Sequence, residues 1–476
     1  LEYYISQEPG SNYKLENLLR VCITKKERNE DEGEDGLPKM TYQAYPFNKE
    51  PAPATVVAKP YAEIAAPAKT YLPDLVIGYS SGENEILSIP FLKTRLLHFD
   101  EYRVALEKKA RYTKPESSLL YIDYEMSQAV LLANLLLQKK DVLIPLRKEL
   151  GIEDITRFRI NLNRHTHEYL DKKSNKREQV KWLNEYKGVI DTLKKCATPC
   201  YEEDDKLTLD FWVNPATKKA FDKHFDSNPF KLFRAFQILY TLNYRTVTPE
   251  IKTDVYQSKG FYTDGKIPKP APEQNVFYFL DYYIRKRKPN SKEVISLLLK
   301  NLSDGEQQYL HTMGICLMLK DSSALLLLDE PETHFNPDWR SKFIRTLKKS
   351  LDASESNNLM RDIVITSHSP FIISDCYPDK VIVFVKGKQP VNARQMNFRT
   401  YGTSIDIIME NIFEKNNTIG ELSAHEIEKM QKELKNRKKL SQEEVRAFKE
   451  RAQHLGDSME KIILFARLNE LEENDA

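Results

Sequence analysis

Residues 324–332 read Ala324-Leu325-Leu326-Leu327-Leu328-Asp329-Glu330-Pro331-Glu332. An unbroken apolar run of this length suits a strand buried on both faces of a parallel sheet. Asp329 and Glu330 then stand at its carboxyl end, where such sheets bind ligands, and Pro331 stops the strand. Burying two unpaired carboxylates is costly. A Mg²⁺ shell and an attacking water resolve that cost; capping of a neighbouring helix is the plain alternative.

Two flanking pieces share this logic. Upstream, Ser303-Asp304-Gly305-Glu306-Gln307 has the S-x-x-E spacing of a capping box, so a helix is expected to start at Ser303. Its amino end offers unpaired N–H groups to an anion, Gly305 permits close approach, and Ser303 adds a hydroxyl. Capping boxes are common, so this piece alone is weak. Downstream, Ile363-Val364-Ile365 reads as another apolar strand, ending in Thr366-Ser367-His368-Ser369. A histidine at a strand's carboxyl end can bond a phosphate oxygen or hold a water, or merely cap the strand.

Taken together the pieces resemble a known site. Ser303 to Gln307 is similar to the signature sequence of ABC-class ATPases, with Asp304 in place of the usual first Gly. The run from Asp329 to Pro337 resembles the extended Walker B of the SMC/RecF/OLD-like branch. There Asp-Glu-Pro-Glu precedes a Leu-His-Pro element; in this chain that element reads Phe335-Asn336-Pro337, a departure at the D-loop contacts. His368 looks like the switch histidine. Within the branch the chain most resembles stand-alone ATPases of bacterial anti-phage defence, such as restriction-system-associated AAA ATPases and PtuA-like ATPases of Septu and retron systems. The motifs cover about residues 290–390.

The resemblance implies an α/β fold: an ABC-type ATPase head with a mainly helical insert and a helical C-terminal tail. It implies ATP and Mg²⁺ as cofactors, and a homodimer or higher oligomer with ATP sandwiched between subunits. In that arrangement Asp329 supports the metal, Glu330 polarises water and His368 is the switch. Ser303, Gly305 and Gln307 contact the partner's nucleotide. A γ-phosphate gripped by two subunits holds them together until it is hydrolysed.

No Gly-x-x-x-x-Gly-Lys-Ser/Thr occurs in the sequence; the nearest strings, at 264–266 and 386–388, lack the preceding Gly and the hydroxyl residue. Family members carry that loop at the N-terminus. The expectation is therefore an N-terminally incomplete chain, with residues 1–5 as the tail of the P-loop helix and activity only when that loop is present. The polar loop at 81–85 is the candidate Q-loop.

Bulk properties agree with a soluble protein. Of the 476 residues 41% are hydrophobic and 30% charged, and the formal charge of +2 gives no global field toward nucleic acid or membrane. No run approaches the ~18–20 apolar residues of a membrane span. No signal peptide is expected, and the location is expected to be cytoplasmic, with no membrane partner. Five cysteines, Cys22, Cys196, Cys200, Cys316 and Cys376, read as free thiols.

Four segments are expected: 1–105 as the remainder of ATPase lobe I, 106–265 as a mainly helical insert, 266–412 as lobe II, and 413–476 as a charged helical tail. Residues 1–19 read as a helix end and a turn, 27–36 as a solvated acidic loop, and 46–73 as an irregular Pro/Ala connection. Strands are expected near 75–79, 158–162, 207–211, 276–280 and 381–385. Helices are expected at 126–139, across 217–242 with a break at Pro229, at 424–437 and at 442–471, and a helix or helix-turn at 291–302. The basic run Arg285-Lys286-Arg287-Lys288 could meet phosphates or simply end a strand.

The leading expectation is an ATPase that dimerises around ATP and regulates a separate effector, a nuclease above all, in anti-phage defence. DNA or another nucleic acid is a further candidate partner. The alternative is a RecF/SMC-like repair or chromosome-maintenance ATPase that binds DNA, and a third reading is a scaffold that does not hydrolyse. The large insert disfavours a transporter subunit.

Overall fold

The computed structural model describes residues 2–6, 14–24, 39–54, 71–73, 75–82, 85–112, 118–171, 174–257, 267, 270–288, 290–352, 359, 361–415, 419–435, 437 and 440–473. The chain divides into two compact units, 1–368 and 369–476.

In the first unit, strands β1 (Glu2–Ser6), β2 (Leu18–Thr24), β3 (Lys39–Ala44) and β4 (Ala52–Ala54) form an antiparallel sheet in chain order. Residues 2–5 are therefore not a helix tail. Tyr3, Tyr4 and Ile5 favour an extended backbone, and they pair opposite Val21, Arg20 and Leu19. The expected turn at 9–12 and the acidic loop at 27–36 lie outside the described residues.

Next come β5 (Val76–Ser80), α1 (Glu85–Glu107), β6 (Leu119–Tyr121), α2 (Tyr124–Leu137) and α3 (Ile144–Glu149). The long β7 (Ile152–Asn163) leads to the hairpin β8 (Thr166–Asp171) and β9 (Lys176–Lys181). Helix α4 (Lys187–Cys196), strands β10 (Cys200–Glu203) and β11 (Lys206–Trp212), and helices α5 (Pro215–His224), α6 (Pro229–Thr241) and α7 (Pro249–Gln257) follow. The break at Pro229 is as expected: Asn228 caps α6, and Pro229 needs no amide partner in its first turn.

Strands β12 (Phe277–Arg287) and β13 (Val294–Leu298) complete an antiparallel sheet of order β10-β11-β7-β12-β13. This sheet corrects one expectation: β7 pairs with β12, so a boundary at 265/266 would cut a sheet. Strands stand within 106–265 where apolar and polar residues alternate, and among the described residues of that stretch helix outnumbers strand. The expected helix at 291–302 is instead β13 and a short 3₁₀ turn, because Val294 and Ile295 extend beside Arg287 and Lys286. Three of the four cations there are paired: Lys286 with Glu306, Arg287 with Glu153 and Lys288 with Glu293.

Helix α8 (Asp304–Met318), β14 (Ala324–Asp329), α9 (Pro337–Asp352) and β15 (Arg361–Thr366) close the unit. Strand β14 lies inside a fully parallel sheet of order β15-β14-β5-β6. Helix α8 lies against α2 through Gly314, where an added Cβ would stand 3.0 Å from Val130. Asn134 fastens the contact by donating to the Gly314 carbonyl at 2.8 Å.

The second unit holds α10 (Pro370–Ser374), the two-residue strands β16 (Ile382–Val383) and β17 (Val391–Asn392), and helices α11 (Ile405–Asn411), α12 (Glu421–Lys435), α13 (Gln442–Gln453) and α14 (Met459–Glu473). The strand expected at 381–385 shrinks to two residues. Residues 369–412 fall in this unit and not with lobe II, since Ile373 and Val383 share a core with Ile408 and Ile412. The single helix expected over 442–471 is two, with Gly456 in the break. Ser441 and Glu444 form a capping box at the start of α13, and α12 starts at Glu421, three residues ahead of the expected 424. In α14 Leu468 is buried with Leu434 and Leu464, while Ile462 and Ile463 are exposed.

Candidate nucleotide-hydrolysis site

The parallel register sets the site. Asp329 pairs with Thr366 on one side and Ser80 on the other, so three strands end level. Ser80 Oγ donates to Asp329 Oδ2 at 3.0 Å, and Thr366 Oγ1 donates to Oδ1. The carboxylate is thus held between two hydroxyls.

Glu330 follows with φ of +44°, a left-handed backbone that a residue with a Cβ rarely adopts. Such strain costs on the order of 1–3 kcal/mol and collects at functional sites. It is held by its neighbours: the amide donates to the Thr366 carbonyl at 3.0 Å, and Gln308 donates to the Glu330 carbonyl at 3.3 Å. The side chain meets His368, with Oε1 3.3 Å from Nε2, and accepts from Thr333 Oγ1 at 3.2 Å on Oε2. Thr333 Oγ1 lies 3.1 Å from Ser81 Oγ, which joins the polar loop after β5 to the same cluster. His368 is 84% exposed at its side chain, so it is open to a ligand.

Glu332 has a different setting. It is 3% exposed, accepts from Ser367 Oγ on Oε1, and has no hydrogen-bond partner on Oε2 among the described residues. Burial raises its pKa above the ordinary carboxylate value.

The capping box at Ser303 is present: Ser303 Oγ accepts from the Glu306 amide at 3.4 Å, and Glu306 accepts from the Ser303 amide at 3.1 Å. Ser303 is exposed at the amino end of α8. Gly305 has a role that its sequence context does not reveal. An added Cβ would lie 2.6 Å from the His334 carbonyl oxygen, so Gly305 lets α8 close on the loop after β14. Gln308 reinforces that closure by accepting from the His334 amide at 2.8 Å. Gln307 donates to the Leu302 carbonyl at 2.9 Å. The structure therefore brings Asp329, Glu330 and His368 together. Ser303, Gly305 and Gln307 stand apart on the start of α8.

At the departure from Leu-His-Pro, Phe335 is buried against Tyr309, Trp339 and Phe343. Asn336 accepts from the Trp339 amide at 2.8 Å and so caps α9. Ser80, Thr366, Thr333 and Glu332 were assigned no role from sequence. The signal was present: strands β5 and β15 both end in hydroxyl pairs, Ser80-Ser81 and Thr366-Ser367.

Beneath the site, His311 on α8 is buried with its ring 4.8 Å from Tyr79 on β5. Burial pushes its pKa down to about 4. The unfolded chain, with an ordinary histidine near 6.5, binds the extra proton between those values. Stability is therefore expected to fall as pH drops from about 6.5 to about 4, by roughly 3 kcal/mol for this group. Urea unfolding of wild type and His311→Phe at pH 7 and pH 4.5 checks this: the variant should lose less stability on acidification. An identical loss would contradict it.

Residues 157–374 match the AAA family described as "AAA domain, putative AbiEii toxin, Type IV TA system". The match supports an AAA-type ATPase related to abortive infection. Among individual proteins the chain is similar to protein ea59 of Escherichia phage lambda, 25% identical over 119 residues. That alignment covers 25% of this chain and 22% of ea59, so most of that relative lies outside the likeness. No described helix is long and apolar enough to cross a membrane.

Proposed function

We propose that this protein hydrolyses ATP at the carboxyl ends of β5, β14 and β15, dimerises around ATP, and regulates a separate effector, a nuclease, in anti-phage defence. The observation that carries the reading is Asp329 held between two hydroxyls, next to a strained Glu330 that meets an exposed His368. The family likeness supports the defence setting.

The donor set fits Mg²⁺. Asp329, Ser80 and Thr366 offer carboxylate and hydroxyl oxygens from three strand ends, and no sulfur stands among them. These residues would hold the ion, which supplies charge neutralisation to bound phosphates. Glu330 accepts the proton of the attacking water on its carboxylate. Thr333 fixes Oε2, which leaves Oε1 and the His368 ring facing each other across the open side. His368 donates to phosphate oxygen and so ties the state of β15 to the nucleotide. Ser303 and Gly305, at an exposed helix start, read the γ-phosphate held by a second subunit.

Plaque counts test the defence setting. Cells carrying the protein with its neighbouring genes should yield fewer plaques than cells carrying the same genes with Glu330→Gln. Equal counts across a varied phage set would overturn that setting.

A further inference from the structure

Glu332 has no part in the chemistry above, yet its setting is unusual for a carboxylate. It is 3% exposed, Oε1 accepts from Ser367 Oγ, and Oε2 has no hydrogen-bond partner among the described residues. A buried carboxyl with an unpaired oxygen is costly. An apolar side chain would fill the turn at lower cost, so the bond to Ser367 needs a use.

That use is visible in what Ser367 carries. Strand β15 pairs with β14 no further than Thr366, so sheet register does not place His368. Beyond the sheet, contacts join residues 366–368 to residues 329–332 step by step. Thr366 Oγ1 donates to Asp329, and the Glu330 amide donates to the Thr366 carbonyl at 3.0 Å. Ser367 donates to Glu332, and His368 Nε2 lies 3.3 Å from Glu330 Oε1. The His368–Glu330 contact is open to solvent, whereas the Ser367–Glu332 contact ends on a buried group. Ser367 and His368 are adjacent, and Glu330 and Glu332 flank Pro331, whose ring fixes its φ. Holding one contact therefore restrains the other.

Glu332 is itself on a braced mount. Gln308 of α8 donates to the Glu330 carbonyl at 3.3 Å and accepts from the His334 amide at 2.8 Å. Arg340 of α9 donates to the Thr333 carbonyl at 2.7 Å, and the Phe335 amide donates to the Glu332 carbonyl at 3.0 Å. Two helices thus fix the turn that carries the anchor.

We propose that Glu332 is a positioning residue: its buried carboxyl anchors Ser367 and so holds the His368 ring beside the Glu330 carboxylate. The inference rests on the reading of Glu330 and His368 as the hydrolytic pair. The acceptor oxygen is what the role requires, so glutamine serves in place of glutamate and alanine does not.

The test uses protein expressed from its whole open reading frame and has two readouts. In the first, ATP turnover is measured for Glu332→Ala, Ser367→Ala, their double variant and Glu332→Gln. Each alanine variant should lose about ten- to hundredfold in kcat, the scale of a slightly misplaced reacting group, with KM unchanged. The double variant should be no slower than the slower single one, because both remove the same bond. Glu332→Gln should keep most of the activity. In the second readout, histidine rings carry a ¹³C label and spectra are taken without nucleotide, the His368 signal being the one lost in His368→Asn. Both alanine variants should move that signal in the same direction, and Glu332→Gln should leave it in place. Ser367→Ala is the milder change and serves if Glu332→Ala does not fold. If wild type turns over and Glu330→Gln does not, while the alanine variants keep the wild-type kcat, the positioning role is overturned and the hydrolytic reading survives. A glutamine variant as slow as alanine overturns it too, since charge and not the bond would then matter. If wild type does not turn over, the hydrolytic reading falls, and a His368 signal unmoved by both alanine variants overturns the anchor as well.

Discussion

Glu330→Gln is expected to lower ATP turnover at least about 100-fold, the scale of losing a positioned general base, while nucleotide binding persists. The amide keeps the shape and the Thr333 contact but cannot take a proton from water. The left-handed backbone at Glu330 is set by main-chain bonds to Thr366 and Gln308, which the substitution leaves in place. The loss should therefore fall on kcat and not on KM. Unchanged turnover would remove Glu330 from the chemistry and with it the reading of the strand ends.

Asp329→Asn should cost a similar factor, about 100-fold or more, by a different route. Ser80 and Thr366 both donate to the aspartate. Asparagine offers one acceptor oxygen where the carboxylate offers two, and it carries no charge. Removing one preorganised electrostatic group from a reacting centre typically costs about 100- to 1000-fold. The discriminating readout is metal dependence: raising Mg²⁺ should restore part of the Asp329→Asn activity and none of the Glu330→Gln activity. If Mg²⁺ rescues both or neither, the two carboxylates do not divide into a metal ligand and a base.

The centre of the site was legible because its signals are local. Four leucines before Asp329, a hydroxyl and a glutamate three apart at Ser303 and Glu306, and a histidine after Ile363–Ile365 each need only a short window. What was not legible depends on which strands meet. One of the hydroxyls on Asp329 comes from β5, 249 residues away in sequence, and no local pattern pairs them. At residues 2–6 and 294–298 short runs without clear period suggest helix, and cross-strand pairing decides otherwise.

If Asp329, Glu330 and His368 form half of a site, a second subunit's Ser303 and Gly305 must complete it. The mass of Glu330→Gln in solution, expressed from the whole open reading frame and measured with and without MgATP, decides this. The expected result is an ATP-dependent doubling of mass that Ser303→Arg abolishes. An unchanged mass with MgATP, from a protein whose wild type hydrolyses ATP, would contradict the shared site.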